Sequence, residues 1–142
     1  LTPIGKFRNA LDVFLDKLSL WADDVQLKEL EKFRLKCELG MKVNPREVLN
    51  LFVENIEPYA DQILRGDDAY FLREDIEVED EFQDLIIQLK VWWPALSVIQ
   101  QRYIKDQIKL LLMLGAIATR NENVRLVINK YRAQDNPLSY DQ

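Results

Sequence analysis

Acidic side chains are the most concentrated chemical groups in this sequence. Residues 74–84 hold seven carboxylates in eleven positions, with no lysine or arginine among them. Carboxylate oxygens can bind Ca²⁺, but a calcium loop that started at Asp68 would need glycine at its sixth position, where the chain has Arg73. The negative charge instead suits a basic protein partner, because complementary charge steers association. We predict a docking segment formed by Glu77, Glu79, Asp80 and Glu81, with a charged loop that serves only solubility as the alternative.

Catalytic chemistry has few groups to work with in this chain. It contains no histidine and a single cysteine, Cys37, which excludes Ser-His and Cys-His pairs, histidine metal sites and thiolate zinc sites. A GxxxxGK or GxGxxG phosphate-binding motif is also missing from the sequence. The carboxylate pairs Asp67–Asp68 and Asp80–Glu81 could hold Mg²⁺, but adjacent surface acids are usually solvated. We therefore expect a protein that is not an enzyme and has no metal site or cofactor.

Three basic residues, Arg102, Lys105 and Lys109, follow one another at spacings of three and four and so share one side of a helix. Such a face could bind phosphate groups, which makes a nucleic-acid-associated accessory protein the alternative function. The net charge of −5 argues against it, since nucleic-acid binding depends largely on neutralising phosphates. We expect these side chains to face the acidic segment or water, and we expect a protein partner rather than nucleic acid.

Trp92 and Trp93 lie close to this face in the sequence and could offer an aromatic platform for single-stranded nucleic acid. Adjacent helical residues point about 100° apart, so both indoles cannot easily stack on one strand. Trp92 continues the apolar spacing of Phe82, Leu85 and Leu89, which predicts that it is buried. We expect Trp93 to be partly exposed or to contact another chain, and it joins the predicted partner surface.

The helix that must position these residues runs from Ser97 to Thr119. Its residues 110–118 are apolar on every side, and a helix that is hydrophobic all round lies in the middle of a protein. The apolar run is too short to cross a bilayer, which needs about 20 residues. Ser97 can cap this helix, and Gly115 can allow another helix to approach closely. We expect it to be the hub of the fold.

Amphipathic helices are expected around the hub. The first begins with Thr2 as N-cap and Pro3 at the first helical position, and its apolar stripe consists of Ile4, Phe7, Leu11, Phe14, Leu18 and Trp21. The second spans roughly residues 24–41, and its stripe consists of Leu27, Leu30, Phe33, Cys37 and Met41. Spacings of three and four predict that both stripes pack on the core, with a coiled coil to another chain as the alternative for the first.

The segment 44–47, Asn-Pro-Arg-Glu, marks the start of a third helix. Asn44 is the expected N-cap, and Glu47 is placed to close a capping box. Pro58 predicts that this helix kinks or restarts just before it, because proline lacks an N–H and clashes with the preceding turn. Gly66 suits the C-terminal end of the same helix.

These elements predict an all-α fold, a compact single-domain bundle of five to six helices around a central hydrophobic helix. The domain is expected to cover residues 1–132, with a last helix at Val124–Tyr131 and a polar tail at residues 133–142. The sequence has no signal peptide and no transmembrane run, and its single cysteine fits an intracellular compartment. Because the chain begins with Leu1 and not Met, we expect that residues precede it in the full protein.

The order of these signals resembles one group of viral proteins. The capped helix leads into Phe52-x-x-x-Ile56-x-Pro58-Tyr59-x-x-x-Ile63 and Asp67-Asp68-x-Tyr70-Phe71, and later comes Ile108-x-x-Leu111-Leu112-x-Leu114. Over roughly residues 20–119 this is similar to small, mostly uncharacterised helical proteins of large DNA viruses of algae and amoebae. The resemblance implies a virion component, or a protein that acts on a host or viral partner in the host cytoplasm or nucleus. The expected function is that of a non-enzymatic structural or protein-interaction protein.

Overall fold

A computed structural model describes residues 2–68 and 82–135 of the chain. Its α-helices are α1 Pro3–Trp21, α2 Asp24–Val43, α3 Pro45–Ile56, α4 Ala60–Arg65, α5 Phe82–Trp92, α6 Val98–Thr119 and α7 Glu122–Asp135. Short 3₁₀ turns lie at Glu57–Tyr59 and Trp93–Ala95. The described ranges contain no strand, which confirms the all-α prediction. If α3 and α4 are counted as one interrupted helix, the helices of these ranges number six.

Two of the predicted helix starts follow from local side-chain chemistry. The N–H of Gly5 donates to Thr2 Oγ1 at 3.0 Å, which satisfies one of the free donors in the first turn of α1. At the start of α6, the N–H of Gln100 donates to Ser97 Oγ at 3.1 Å. The N–H of Ser97 donates in return to Gln100 Oε1 at 3.0 Å, which completes a capping box. The predictions for Thr2 and Ser97 are confirmed.

The capping box predicted at Asn44 forms only in part. Asn44 Oδ1 accepts a hydrogen bond from the N–H of Glu47 at 3.2 Å, as predicted. The N–H of Asn44 is engaged elsewhere, because it donates to the carbonyl of Gly40 at 2.9 Å and so caps the end of α2. The Glu47 carboxylate accepts instead from the side-chain amide of Asn44 at 3.3 Å. One residue therefore ends α2 with its backbone and starts α3 with its side chain.

The predicted interruption of the third helix is present. α3 ends at Ile56 and α4 begins at Ala60, and the 3₁₀ turn between them contains Pro58. Gly66 follows the end of α4 in the left-handed region, at φ +77°, where its N–H donates to the carbonyl of Ile63 at 3.2 Å. Glycine adopts this backbone conformation without the steric cost that a Cβ would add.

α6 lies at the centre of the bundle and packs against α1, α3, α4 and α7. Its residues Ile104 and Leu112 are fully buried. The prediction that residues 110–118 are covered on every side is wrong in part, since Leu110 is 39% exposed and Ile117 is 60% exposed. These two residues are seven positions apart and so lie on the same side of the helix. The helices around α6 leave that side open to solvent.

Gly115 is a point of close approach between α6 and two neighbouring helices. A Cβ placed on it would lie 2.8 Å from Val53 Cγ2 of α3 and 3.5 Å from Phe7 Cε2 of α1. A carbon–carbon contact of 2.8 Å would force Val53 to move, and valine in a helix has little rotamer freedom. Glycine therefore sets the packing distance here, as the sequence predicted.

The apolar stripes of α1 and α2 face the core, which confirms the core-packing interpretation of both. The fully or nearly fully buried members are Phe7, Leu11, Phe14 and Leu18 in α1, and Leu30, Phe33, Cys37 and Met41 in α2. Aromatic rings extend this core to α3 and α5. The ring of Phe52 lies with its centroid 5.2 Å from that of Phe7 and 4.6 Å from that of Phe82.

α7 is longer than the sequence predicted. It was expected at Val124–Tyr131 and runs from Glu122 to Asp135. Asn121 Oδ1 accepts from the N–H of Val124 at 2.9 Å, and this N-cap starts the helix earlier. The next proline, Pro137, comes only after the helix end, so the helix extends into the first residues of the predicted tail. Residues 136–142 lie outside the described ranges.

Candidate functional site

The whole of the predicted docking segment lies outside the ranges that the structure describes. Glu77, Glu79, Asp80 and Glu81 lie outside the described residues, as do Tyr70 and Phe71. The acidic run, residues 74–84, ends at Asp84, which is described and exposed. Its Oδ2 accepts a hydrogen bond from Lys36 Nζ of α2 at 2.9 Å. The docking segment therefore stays a prediction.

The expected exposure of Trp93 is wrong. Trp93 is 2% exposed and Trp92 is 6% exposed, so both indoles belong to the core. α5 ends at Trp92, and Trp93 opens the 3₁₀ turn that contains Pro94, so the apolar spacing of α5 does not determine the environment of Trp93. The carbonyl of Trp93 accepts from the side-chain amide of Gln101 at 2.8 Å, which ties this turn to α6. An enclosed indole of this kind does not present a surface to a partner.

The alternative basic face is partly neutralised. Arg102 is exposed, and Lys109 is half-buried. Lys105 Nζ donates to Asp68 Oδ1 at 2.7 Å, so its charge is paired next to the start of the segment that the structure does not describe. The neighbouring carboxylate, Asp67, pairs with Arg65 at 3.2 Å. The Asp67–Asp68 pair is thus engaged with two cations.

Within residues 2–68 and 82–135, acidic and cysteine side chains form no group of three that could hold a metal ion. None of the helices described there combines the length and the apolar character that a bilayer span requires.

A groove between α6 and α7 brings together residues that the sequence analysis did not connect. Its volume is about 460 Å³. Its lining contains four apolar residues, which we call its floor, and three arginines, which we call its rim: Met113, Ala116, Ile117 and Ile128, and Arg120, Arg125 and Arg132. We call this surface the arginine groove.

The rim of the arginine groove carries a surplus of positive charge. Its remaining lining residues are Glu122 and Asn129, so three cations face one carboxylate. Glu122 Oε1 lies 3.7 Å from Arg125 Nη1, and the two side chains are about 70% exposed. An ion pair so exposed contributes little stability, about 0–1 kcal/mol, and leaves both groups free to move to other partners.

Arg120 adopts an unusual backbone conformation for its residue type. It follows α6 in the left-handed region at φ 56°. Among the residues that the structure describes, no other residue except glycine has a positive φ. The N–H of Arg120 donates to the carbonyl of Ile117 at 3.4 Å, and the N–H of Asn121 donates to the carbonyl of Ala116 at 3.0 Å. Helices that end with this pattern usually have glycine at the position of Arg120. An arginine here costs on the order of 1 kcal/mol of backbone strain.

A hydrogen bond links α7 to α4 and thereby helps to position α7, which forms one wall of the arginine groove. The hydroxyl of Tyr131 donates to Asp61 Oδ1 at 2.7 Å, and Lys130 Nζ lies 3.6 Å from the same oxygen. The hydrogen bond from Tyr131 lowers the pKa of Asp61, an effect that partial burial opposes and that the charges of Lys130 and Arg65 reinforce. The same bond raises the pKa of Tyr131 above its ordinary value, with burial as a further cause.

A second cavity adjoins the arginine groove at the end of α6. Its volume is about 560 Å³, and it is lined by the start of α1, by Arg46 of α3 and by residues 117–120. Ile117 and Arg120 line both cavities, so the exposed isoleucine lies between them. Arginines therefore line both cavities, with Arg125 and Arg132 in the first, Arg46 in the second and Arg120 in both.

A third groove, between α1 and α2, is a weaker candidate. It has a volume of about 240 Å³ and contains the buried thiol of Cys37 in its wall. Its charges are nearly balanced, since Arg8, Arg34 and Lys42 face two carboxylates. Arg34 is also engaged with Asp16 at 2.7 Å and with Asp12 at 3.6 Å.

Part of the arginine groove was readable from the sequence. Arg125, Ile128, Asn129 and Arg132 follow the spacing i, i+3, i+4, i+7, which places them on one face of a helix. The other wall was not readable, because the exposure of Ile117 depends on which side of an all-apolar helix its neighbours cover. The basic residues chosen from the sequence, Arg102, Lys105 and Lys109, lie on α6 and do not line this groove, whose arginines come from α7 and from the residue that follows α6.

No protein-family model, curated protein or solved structure matches this chain. The predicted resemblance to viral proteins therefore stays a prediction from the sequence motifs.

Proposed function

We propose that this protein is a non-enzymatic interaction protein that binds a protein partner in the arginine groove. The observation that carries the proposal is Ile117, which is 60% exposed on the central helix of the bundle and lies on the floor of a groove with three arginines. Exposed apolar surface rimmed by charged residues is typical of interaction sites. Arginine is also enriched in protein interfaces and among the residues that dominate binding energy.

The lining of the groove supports binding rather than catalysis. Arginine stays protonated in proteins, so Arg120, Arg125 and Arg132 cannot act as general bases. Glu122 is the single carboxylate among the lining residues, and it faces Arg125. None of the lining residues is a cysteine, serine, threonine or lysine that could attack a substrate.

The backbone of Arg120 gives independent support. Strained backbone conformations tend to occur at functional sites, where the side chain is needed at that place. Glycine would satisfy the left-handed conformation at φ 56° without strain, yet the chain has an arginine whose side chain reaches both cavities. The interaction of its charge with the C-terminus of α6 offsets the backbone strain, and a binding role accounts for an arginine at a place where glycine would be free of strain.

The setting that we propose is intracellular and viral. It follows from the resemblance of residues 20–119 to helical proteins of large DNA viruses, together with the single cysteine of the chain. In that setting the groove would bind another virion component or a host protein.

The test of this function is affinity capture from cells of the native source with three forms of the protein. Ile117→Asp places a charge on the groove floor, and Leu126→Asp makes the same chemical change at a residue that is 66% exposed on α7 and does not line the groove. We expect a partner that the wild type and Leu126→Asp retain and that Ile117→Asp loses. Circular dichroism and thermal unfolding establish that all three are folded. Identical partners for all three forms would show that the groove is not the binding surface.

The nucleic-acid alternative retains one supporting observation, the exposure of Arg102. Electrophoretic mobility shifts with single- and double-stranded DNA and RNA, at low and moderate salt, separate it from the proposal. Absence of binding at low salt removes the alternative. Binding that falls steeply with salt and is lost in Arg102→Glu/Lys109→Glu would support it over a protein-binding role.

A further inference from the structure

We infer that the partner of the arginine groove is an acidic amphipathic helix, with an aliphatic side chain against Ile117 and carboxylates on either side of it. This inference rests on the proposed function and names the class of partner. It is carried by the charge of the rim, the apolar floor and the length of the charged surface.

The charge of the rim selects carboxylates. Arg120, Arg125 and Arg132 stand against the single carboxylate of Glu122 in the groove lining. The guanidinium group offers a planar fork of N–H donors that binds a carboxylate with two parallel hydrogen bonds. Because Arg125 and Glu122 are largely exposed, an incoming carboxylate can replace their contact without removing charges from a buried position.

The floor requires an apolar group as well. Met113, Ala116, Ile117 and Ile128 line the same groove as the arginines, and an apolar side chain such as leucine would remove the exposed surface of Ile117 from water. A free anion or a phosphate chain would satisfy the arginines and leave this floor uncovered. A peptide with both acidic and aliphatic side chains satisfies both parts.

The spacing of the arginines favours a helix. Arg125 and Arg132 are two turns apart on α7, which corresponds to a rise of about 10 Å. Acidic residues two turns apart on a partner helix that lies along α7 would face both. The adjoining cavity continues the surface past Ile117 and Arg120 to Arg46, so the surface extends beyond the reach of a single side chain. Amphipathic helices bind in grooves of this kind through aliphatic anchors at helical spacing.

The experiment uses fluorescently labelled synthetic peptides of about 15 residues, a length that forms a helix once bound. The first peptide carries leucines at i, i+3, i+4 and i+7 and glutamates on the flanking positions. The second has the same composition in scrambled order, and the third replaces glutamate by lysine. We expect the first peptide to bind at least tenfold more tightly than either of the others, by fluorescence anisotropy in moderate salt.

Variants of the full chain locate the binding site. Arg125→Glu/Arg132→Glu should weaken the first peptide at least tenfold. Arg102→Glu/Lys109→Glu makes the same change of net charge on residues of α6 that do not line the groove, and it should change the affinity less than threefold. Ile117→Asp should abolish binding, and Leu126→Asp should not. Thermal unfolding of each variant excludes loss of the fold as the cause.

Each other outcome contradicts the inference. Equal affinities of the ordered and scrambled peptides would show that binding depends on charge alone and not on a helical pattern. Equal losses of affinity in the two charge-reversal variants would show that the charge attraction is not specific to the groove. Competition between the first peptide and self-association of the chain, detected by sedimentation, would identify a second copy as the occupant. If affinity capture finds an Ile117-dependent partner but the acidic peptide does not bind, the proposed function stands and the acidic class is wrong. If neither experiment depends on Ile117, both proposals fail.

Discussion

At the scale of single residues, Arg120 combines a backbone cost with a position at the junction of two cavities. Its φ of 56° is one that glycine adopts freely and arginine does not. Its charge next to the C-terminus of α6 returns about 0.3–1 kcal/mol through the helix dipole, which is comparable to the strain of on the order of 1 kcal/mol. The residue is therefore close to neutral for folding, and its side chain is available for binding.

Replacing this residue separates stability from binding. We expect Arg120→Gly to leave the free energy of unfolding unchanged or to raise it by up to about 1 kcal/mol, because the relief of strain equals or exceeds the lost dipole interaction. Arg120→Ala should be less stable than Arg120→Gly by about 1 kcal/mol, since alanine keeps the strain. Both variants should bind the acidic peptide more weakly than the wild type, and by the same factor. Urea denaturation and anisotropy measure the two effects, and a Gly variant that binds like the wild type would remove Arg120 from the site.

The contact between Asp61 and Tyr131 gives a pH dependence with a definite sign. The pKa of Asp61 is lowered in the folded state, so its contribution to stability is present above its unfolded value of about 3.8 and is lost as the pH falls through the folded value. The pKa of Tyr131 is raised, so its contribution is present below its unfolded value of about 10 and is lost as the pH rises through the folded value. We expect the stability difference between wild type and Tyr131→Phe to be largest near pH 7 and to shrink at both extremes.

Nuclear magnetic resonance titration of the Asp61 carboxyl provides the direct measurement. In Tyr131→Phe its pKa should move upward, because the hydrogen bond from Tyr131 is the largest cause of the lowered value. An Asp61 that titrates at the same pH in both proteins would show that the hydrogen bond does not form in solution. The variant also tests whether the anchoring of α7 matters for the arginine groove, since Arg125 and Arg132 both lie on this helix.

At the scale of elements, the junction of α5 and α6 is built on two adjacent tryptophans that are both enclosed. Trp92 ends α5 and Trp93 opens the turn that follows it, with exposed fractions of 6% and 2%. Truncation of a buried tryptophan to alanine typically costs about 3–5 kcal/mol. We therefore expect Trp92→Ala and Trp93→Ala to destabilise the protein by similar amounts in thermal or chemical unfolding. A loss below about 1 kcal/mol for Trp93→Ala would restore the interpretation of this residue as a surface contact.

The elements that could be predicted from the sequence are those set by local chemistry. Each of three N-cap side chains accepts a hydrogen bond from an N–H three residues further on, and the three residues are Thr2, Asn44 and Ser97. Pro58 interrupts the helix at its own position. These effects do not depend on the rest of the fold. The partial capping box at Asn44 was not predictable in the same way. It depends on α2 reaching as far as Val43, so that the N–H of Asn44 is already used by Gly40.

The tertiary features that the sequence left open have physical reasons. Residues 110–118 are apolar on all sides, so periodicity cannot say which side stays exposed, and the groove at Ile117 follows from that choice. Trp93 was misplaced because the apolar spacing of α5 says nothing about the turn that follows the helix, where tertiary packing decides burial. The arginine groove needs the chain to reverse at Arg120 and Asn121, which brings a face of α7 against the end of α6.

At the scale of the whole molecule, an acidic chain carries a basic groove. The chain has 24 acidic and 19 basic residues and a net charge of −5. Four arginines nevertheless line the two adjoining cavities: Arg46, Arg120, Arg125 and Arg132. An acidic partner would therefore be repelled by the molecule at long range and attracted by the groove at short range. The balance between the two depends on ionic strength, because the Debye length falls from about 30 Å at 0.01 M salt to about 3 Å at 1 M.

Neutralising part of the acidic run tests this balance. Replacing Glu77, Glu79 and Glu81 with Gln and Asp80 with Asn changes the net charge from −5 to −1, since four negative charges are removed. We expect the association rate of the acidic peptide to rise several-fold at about 0.01 M salt and to match the wild type at about 1 M, where the charges are screened. Its dissociation rate should stay the same, because the groove contacts are unchanged.

A basic partner that docks on the acidic run, as the sequence predicts, would show the reverse, a slower association with a weaker dependence on salt. Stopped-flow measurements with peptides of both signs distinguish these cases, and unchanged association rates for both would remove the acidic run from any role in binding.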